Sequence, residues 1–416
     1  MFAALRAERD GHDFVAAAFE RGAALALVDR RGGEGSSAPW SGPVIEVVSV
    51  PDALAEVARI AREALPDRVV GVTGSVGKTT TKDLLANVLA RRFRTVASER
   101  SFNNELGVPI TLANAPDGTE AAVVEMGARG HGHIRHLCEL ARPTVGVVTV
   151  VEGVHTEVMG SIDRVGLAKR ELVEDLPADG AAVLNAGDPN VAAMAAHTSA
   201  SVVMFGGEGT TLGDVHAADV TIDDGLRAGF VLHSPWGSAS VHLGVRGAHN
   251  VTNALAAAAT GLWLGVDVGE VAAGLAEPPA SPWRMELVES EAGLRVLNDS
   301  YNAGPASMAA ALRALAALPL PDGGRRVAVL GIMAELGEEG PDAHRHVAAL
   351  ADELGIHVLA VGCDLYGVQD RVPGADAALE VVESLELGGS DAVLVKGSRV
   401  AGLERVAAAL TRPGRS

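Results

Sequence analysis

Aromatic side chains are scarce in this sequence, at 3% of 416 residues. A core without them must be assembled from Ala, Val and Leu, which suits parallel strands covered by Ala-rich helices. Cysteine is also rare: Cys138 and Cys363 stand alone, at no familiar disulfide or metal spacing. A disulfide-stapled fold is excluded, and buried free thiols in a reducing compartment are expected. Positive charge is in deficit, with 34 Lys and Arg against 53 Asp and Glu and a net charge of −19. That argues against a nonspecific nucleic-acid binder, which needs a basic face. An acidic chain can still hold anionic ligands through backbone N–H cradles, local Lys or Arg, and metal ions. The chain shows no charged-then-apolar leader and no unbroken apolar run of the ~20 residues that span a bilayer. A cytoplasmic protein without membrane insertion is expected.

What remains is an α/β pattern too long for one ordinary domain. Residues 1–67 read as a small α/β unit, with strands at 24–28 and 44–48 and a helix at 51–64. Residues 68–281 alternate apolar strands and helices, which implies right-handed crossovers and a parallel sheet. A β-rich stretch over 201–243 interrupts them, and an Ala-rich helix follows at 250–264. Prolines at 278–282 mark a second boundary. Residues 282–416 then read as a Rossmann-like α/β unit that carries no GxGxxG and so no dinucleotide site.

The strongest local signal is Thr73-Gly74-Ser75-Val76-Gly77-Lys78-Thr79-Thr80, which follows an apolar strand and opens a helix. Its glycines let backbone N–H groups turn toward phosphate oxygens, and the helix N-terminus adds partial positive charge. Lys78 is expected against the β- and γ-phosphates of ATP, with the Thr79 hydroxyl on Mg²⁺. The strict GxxxxGK form is not met, because Val72 stands where the first glycine belongs. Glu125 ends the next strand, at the same sheet edge, where a carboxylate can complete a Mg²⁺ site. Taken alone, Glu125 is equally a solvent-facing strand end, His155 a structural histidine and Lys169 a solvated helix lysine.

The spacing of the phosphate loop, T-G-S/T-x-G-K-S/T-S/T, resembles the Mur ligase superfamily, which includes the folylpolyglutamate synthetases. His155, Glu157, Gly160-Ser161 and Ala168-Lys169-Arg170-Glu171 match that family's H-x-E, G-S/T and A-K-x-E segments. The resemblance implies a three-domain Mur ligase architecture with a central P-loop ATPase domain. It also implies a carbamylated Lys169 that, with His155, helps hold a second Mg²⁺. A partly desolvated lysine loses its proton more easily, so the modification is chemically reasonable.

Further segments select a branch of the family. Ser101-Phe102-Asn103-Asn104-Glu105-Leu106-Gly107-Val108-Pro109 and Asp299-Ser300-Tyr301-Asn302-Ala303-Gly304-Pro305-Ala306-Ser307-Met308 are similar to segments of the ligases that join D-alanyl-D-alanine to UDP-N-acetylmuramoyl-tripeptide. That branch works through an acyl phosphate in peptidoglycan precursor synthesis. By resemblance, Asn103 and Asn104 hold the nucleotide-sugar substrate, Asn253 lies by the adenine, Arg284 reaches the nucleotide and Asp299 faces the ribose. Lys396 and Arg399, in Val395-Lys396-Gly397-Ser398-Arg399, offer cations to an anionic substrate. Asn103-Asn104 can also be turn asparagines, and His249-Asn250 can also cap the Ala-rich helix. Gly304 and Ile332 replace the family's Asn and Asp.

The F-x-A-L segment that family members carry after several strands here begins at Phe2, so the chain is expected to start inside the N-terminal domain. A monomer acting on small molecules is expected. The alternatives are another Mur or folylpolyglutamate-type ligase, or a nucleotide-binding relative with impaired catalysis.

Overall fold

The computed structural model describes residues 1–7, 9–30, 40–153, 159–206 and 212–412. Its centre is a six-stranded sheet in the spatial order Thr95–Ala97, Ala121–Glu125, Val69–Thr73, Val145–Val148, Ala181–Asn185 and Ser201–Phe205. Every neighbouring pair is parallel. Four of these strands are buried along their whole length, because helices cover both faces and leave no polar side. Val69–Thr73 comes early in the chain yet sits mid-sheet, so the path runs outward to one side and then to the other. The crevice at such a reversal, at the carboxyl ends of the strands, is where open α/β sheets bind ligands.

One face is covered by the helices Lys78–Ala90, Asn250–Trp263 and Val268–Ala276. Ala254 to Ala259 are fully buried, which lets the Asn250–Trp263 backbone approach its neighbours closely. The other face is covered by Gly107–Ala113, His133–Ala141 and Ile162–Glu174. The β-rich stretch divides in two. Ser201–Phe205 is the edge strand of the parallel sheet, whereas His216–Ile222, Arg227–Ser234 and Gly237–Arg246 form a separate antiparallel sheet. That small sheet turns Phe230, Leu232, Val241 and Leu243 into the same core as the Ala-rich helix.

Near the N-terminus, Phe2–Ala3, Ala26–Val28 and Val44–Glu46 make a three-stranded parallel sheet. The helix Val50–Ala64 starts at Ser49, whose hydroxyl accepts from Asp52 N, and has proline in its first turn. It packs on the central unit: Ala58 joins that core, and Arg62 donates to Ala141 O at 2.5 Å and to Arg142 O at 3.0 Å. A guanidinium is well placed at those carbonyls, which carry the negative end of the His133–Ala141 helix.

The last sheet has the order Glu286–Glu289, Arg295–Asn298, Ala392–Lys396, Arg326–Leu330, His357–Val361 and Arg371–Val372. Only its first pair is antiparallel. The hairpin Glu286–Glu289/Arg295–Asn298 was not expected, because two four-residue strands with charged ends lack a long apolar run. Among the described residues, no helix is long and apolar enough to cross a membrane.

The helix seam is tight. A Cβ on Gly274 would lie 2.6 Å from Val88 Cα, a backbone atom of the helix that follows the phosphate loop. Gly274→Ala is therefore expected to cost about 1–3 kcal/mol by overpacking. Gly388, with nothing within 4 Å of its Cβ position, is the control. Gly388→Ala should change stability by less than ~0.5 kcal/mol. Urea unfolding of both variants checks this, and equal midpoints would refute the packing argument.

Candidate active site

The turn after Val69–Thr73 bends because Gly77 adopts φ 83°, a left-handed conformation that glycine enters without penalty. Space enforces the same choice, since a Cβ there would lie 2.3 Å from Asn253 Oδ1. Asn253 is held in turn, donating to Asn250 Oδ1 at 2.7 Å and accepting from the Thr81 hydroxyl at 3.3 Å. His249 precedes the Ala-rich helix without a side-chain cap, and Asn250 donates back to Arg246 O at 2.6 Å.

The turn is also sewn to the loop beyond Val145–Val148. Ser75 N donates to Val150 O at 2.7 Å, and the Ser75 hydroxyl exchanges hydrogen bonds with Glu152 O and Glu152 N at 3.0 and 2.9 Å. Thr149 Oγ1 donates to Val76 O at 2.6 Å, and Asn185 Nδ2 fixes Thr149 O at 2.9 Å. Burial, with Asp188 nearby, pushes the Glu152 carboxyl up. Thr149, Asn185 and Ser98 carry no chemical signature in the sequence. Their only signal was a position at or beside strand ends around the switch point.

Glu125 lies at the carboxyl end of its strand and is 1% exposed, so the solvent-facing alternative fails. Its Oε2 accepts from the Thr79 hydroxyl at 2.8 Å, its Oε1 from Asn103 Nδ2 at 2.8 Å, and its N–H donates to Ser98 Oγ at 3.1 Å. Asn104 behaves as a capping residue: its Oδ1 accepts from Gly107 N at 2.9 Å. Lys78 Nζ donates to Gly74 O and Ser75 O at 2.8 and 3.0 Å, folded over the loop it follows. Burial lowers its pKa, against the pull of Glu125. Lys169, on Ile162–Glu174, is buried, and desolvation reinforced by Lys78 drives its pKa well below the ordinary lysine value. Such a site favours the neutral amine over the ammonium, which suits a nucleophile better than a surface cation.

The facing wall comes from the C-terminal sheet. Asp299 Oδ1 accepts from Met285 N at 3.1 Å, while its Oδ2 takes Lys396 Nζ at 2.5 Å. Lys396 also donates to Asn302 O at 2.9 Å. The Arg284 guanidinium lies 4.3 Å over the Tyr301 ring, and the Tyr301 hydroxyl closes a contact with Ser101 from the central unit. Arg399 lies 4.5 Å over Trp283 and pairs with Glu404 at 3.1 Å. The mouth is bridged by Arg129 and Glu335 at 3.9 Å.

One cleft of about 1070 Å³ gathers Ser75, Val76, Gly77, Lys78, Thr79, Thr80, Asn103, Asn104, Glu125, Lys169, Asn253, Arg284, Asp299, Lys396 and Arg399. Gly74 does not line it and backs onto Thr149 instead. His155 and Glu157 lie outside the described residues. Among the described residues no group of three His, Cys, Asp or Glu converges. Two oxygen donors, Thr79 and Glu125, do meet beside the phosphate loop, and such a pair fits Mg²⁺, which keeps waters and phosphate oxygens as its other ligands.

Residues 72–261 match the Mur ligase middle domain, and residues 283–411 match the Mur ligase, glutamate ligase domain. The UDP-N-acetylmuramoyl-tripeptide--D-alanyl-D-alanine ligase of Mycobacterium tuberculosis (strain H37Rv) is 41% identical, across 99% of this chain and 89% of its own length. Among solved structures, MurF from Acinetobacter baumannii superposes with a TM-score of 0.83 at 31% identity, covering 99% of this chain and 90% of that one. MurF ligase from Thermotoga maritima, solved in complex with ADP, gives 0.80 at 29% identity over 97% and 92%. With both domain models matched and similarity running along nearly the whole sequence, the chain belongs to the Mur ligase family.

Proposed function

We propose that the protein joins D-alanyl-D-alanine to UDP-N-acetylmuramoyl-tripeptide, converting ATP to ADP and phosphate, as a step of peptidoglycan precursor synthesis in the cytoplasm. The observation that carries this reading is the Glu125 junction, where one buried carboxylate takes Thr79 of the phosphate loop on one oxygen and Asn103 of the expected substrate loop on the other. This junction supports a site in which phosphate donor and acceptor meet. The 41% identity to a ligase of that printed name selects the substrates.

The turn at Gly74–Gly77 and the start of Lys78–Ala90 aim backbone N–H groups and the helix dipole at the ATP phosphates, with Lys78 leaving its loop carbonyls to meet the β- and γ-oxygens. Asn253 and Asp299, which both line the cleft, take the adenine and the ribose in this reading. Asn103 and Asn104 hold the muramoyl-peptide, and Lys396 and Arg399 offer cations to its anionic groups. An oxygen of the tripeptide's terminal carboxylate attacks the γ-phosphorus, the bond to ADP breaks, and an acyl phosphate forms. The amine of D-alanyl-D-alanine then attacks the acyl carbon, the C–O bond to phosphate breaks and the amine gives up a proton. Positioning and charge neutralisation carry most of the rate gain.

Mg²⁺, as two ions, would neutralise phosphate charge when held by Thr79, Glu125, His155 and a carbamylated Lys169. In the modification, the neutral Lys169 nitrogen attacks CO₂, a C–N bond forms and the departing proton passes to solvent. An amine kept below its ordinary pKa by burial has the lone pair this needs. The departure at Gly304 leaves its local turn intact. Gly304 still starts the helix Pro305–Ala317, with Ser307 Oγ accepting from Gly304 N at 3.0 Å.

Two outcomes follow. ADP release by the purified protein should require both UDP-N-acetylmuramoyl-tripeptide and D-alanyl-D-alanine; release that ignores either omission contradicts the reading. Lys169→Ala should lower turnover by about 10²-fold or more, as loss of charge-stabilising groups does, with partial recovery in added short carboxylates. In ¹³C-bicarbonate the native protein should show a carbamate resonance that the variant lacks and that disappears on acidification. Full activity of the variant, or an unchanged spectrum, would sink the carbamate.

A further inference from the structure

The helix Lys78–Ala90 carries a second lysine, Lys82, one turn beyond Lys78. It is 2% exposed, as is its neighbour Asp83, and the two form an ion pair at 2.6 Å. Neither group spends its other bonds within its own helix. Lys82 Nζ donates to Ser98 O at 2.7 Å and to Arg100 O at 3.1 Å. Asp83 Oδ2 accepts from Ser281 N at 2.9 Å. The two targets belong to opposite walls of the cleft.

Ser98 begins the loop that carries Asn103 and Asn104, and its hydroxyl takes the N–H of Glu125 at 3.1 Å. Arg100 sits at φ 51°, a left-handed conformation costly for a residue with a side chain, so its carbonyl keeps its direction only if something holds it. Farther along, Ser101 meets Tyr301, and Asn103 meets Glu125. Ser281 opens the joint into the C-terminal sheet. Trp283 at φ 61° and Met285 at φ 52° are strained in the same sense there, and Met285 N is pinned at its far end by Asp299. Asn87, on the same helix, adds a bond to Pro278 O at 3.1 Å.

We infer that Lys82 and Asp83 are positioning residues: from one turn of the helix behind the phosphate loop they set both the substrate-facing loop 98–104 and the joint 281–285. Buried charges that leave their helix to hold strained backbone on two walls fix geometry at a desolvation cost that an apolar pair would avoid. Neither residue of the pair lines the cleft. It acts through Asn103, Glu125 and Arg284. The inference rests on the ligase reading only for the names of its substrates.

The test compares wild type with Lys82→Gln and with the double variant Lys82→Gln/Asp83→Asn, which stays uncharged at both positions if the single variant fails to fold. Wild-type turnover is measured first, and its failure to depend on both substrates would overturn the function without touching this inference. In the folded variants the Kd for ADP should stay within about threefold of wild type. The KM for UDP-N-acetylmuramoyl-tripeptide should rise at least roughly tenfold, equivalent to about 1.4 kcal/mol. Amide hydrogen exchange should quicken at 98–104 and 281–285 and stay unchanged at 69–79, a readout that needs no turnover. A lower Tm with KM, kcat and the exchange of both segments unchanged would mean that the pair only stabilises the fold, and would overturn the inference.

Discussion

The cleft is organised around one buried carboxylate. Glu125 is almost wholly removed from water, and an isolated charge in that position would be expelled or neutralised. It is retained because the Thr79 hydroxyl, the Asn103 amide and the nearby Lys78 cation compensate it from three directions. Thr79 and Lys78 come from the phosphate loop and its helix and Asn103 from the loop at 98–104, so satisfying this charge fixes one loop against the other. The parallel sheet makes the meeting possible, since Val69–Thr73 and Ala121–Glu125 are direct neighbours whose carboxyl ends open into the same crevice. The C-terminal sheet joins through Tyr301 and Ser101, bringing Arg284 and the Asp299–Lys396 pair to the opposite wall.

The same economy explains how a protein of net charge −19 can accept polyanionic ligands. The binding field is local. Cations and N–H donors are concentrated in one cleft, while much of the acidic excess lies on outer surfaces such as Glu338, Glu339 and Asp342, where water screens it. Two lysines share that cleft, and their mutual repulsion adds to burial in lowering Lys169.

Much of this was legible in the sequence, for definite reasons. The phosphate loop announces itself because only glycine can make its turn, and the Ala-rich helix because only small side chains let helices approach as Gly261 and Val88 do. The central strands read as unbroken apolar runs because both faces are covered. The short strands were not legible. Arg295–Asn298 is set by pairing with Ala392–Lys396, about a hundred residues away, and Glu286–Glu289 by pairing with Arg295–Asn298, and their own pattern is too brief to show it. Ser201–Phe205 was grouped with the antiparallel strands that follow it, because local composition does not reveal which sheet a strand joins. In the site, residue types with a chemical signature were found, whereas Thr149, Asn185 and Ser98 were missed. They act by holding backbone, which any small polar side chain at the right place can do.

In the proposed mechanism Glu125 links nucleotide binding to magnesium. Calorimetric titration of ATP into wild type and Glu125→Gln, with and without magnesium, tests it most directly. Glutamine keeps the shape and one acceptor but not the charge. Magnesium should tighten ATP binding to wild type by about tenfold or more, as expected for loss of a charge-assisted contact. In the variant that gain should vanish while metal-free binding persists. A variant that retains the full magnesium dependence would contradict the account, as would a wild-type protein that binds no ATP with magnesium present.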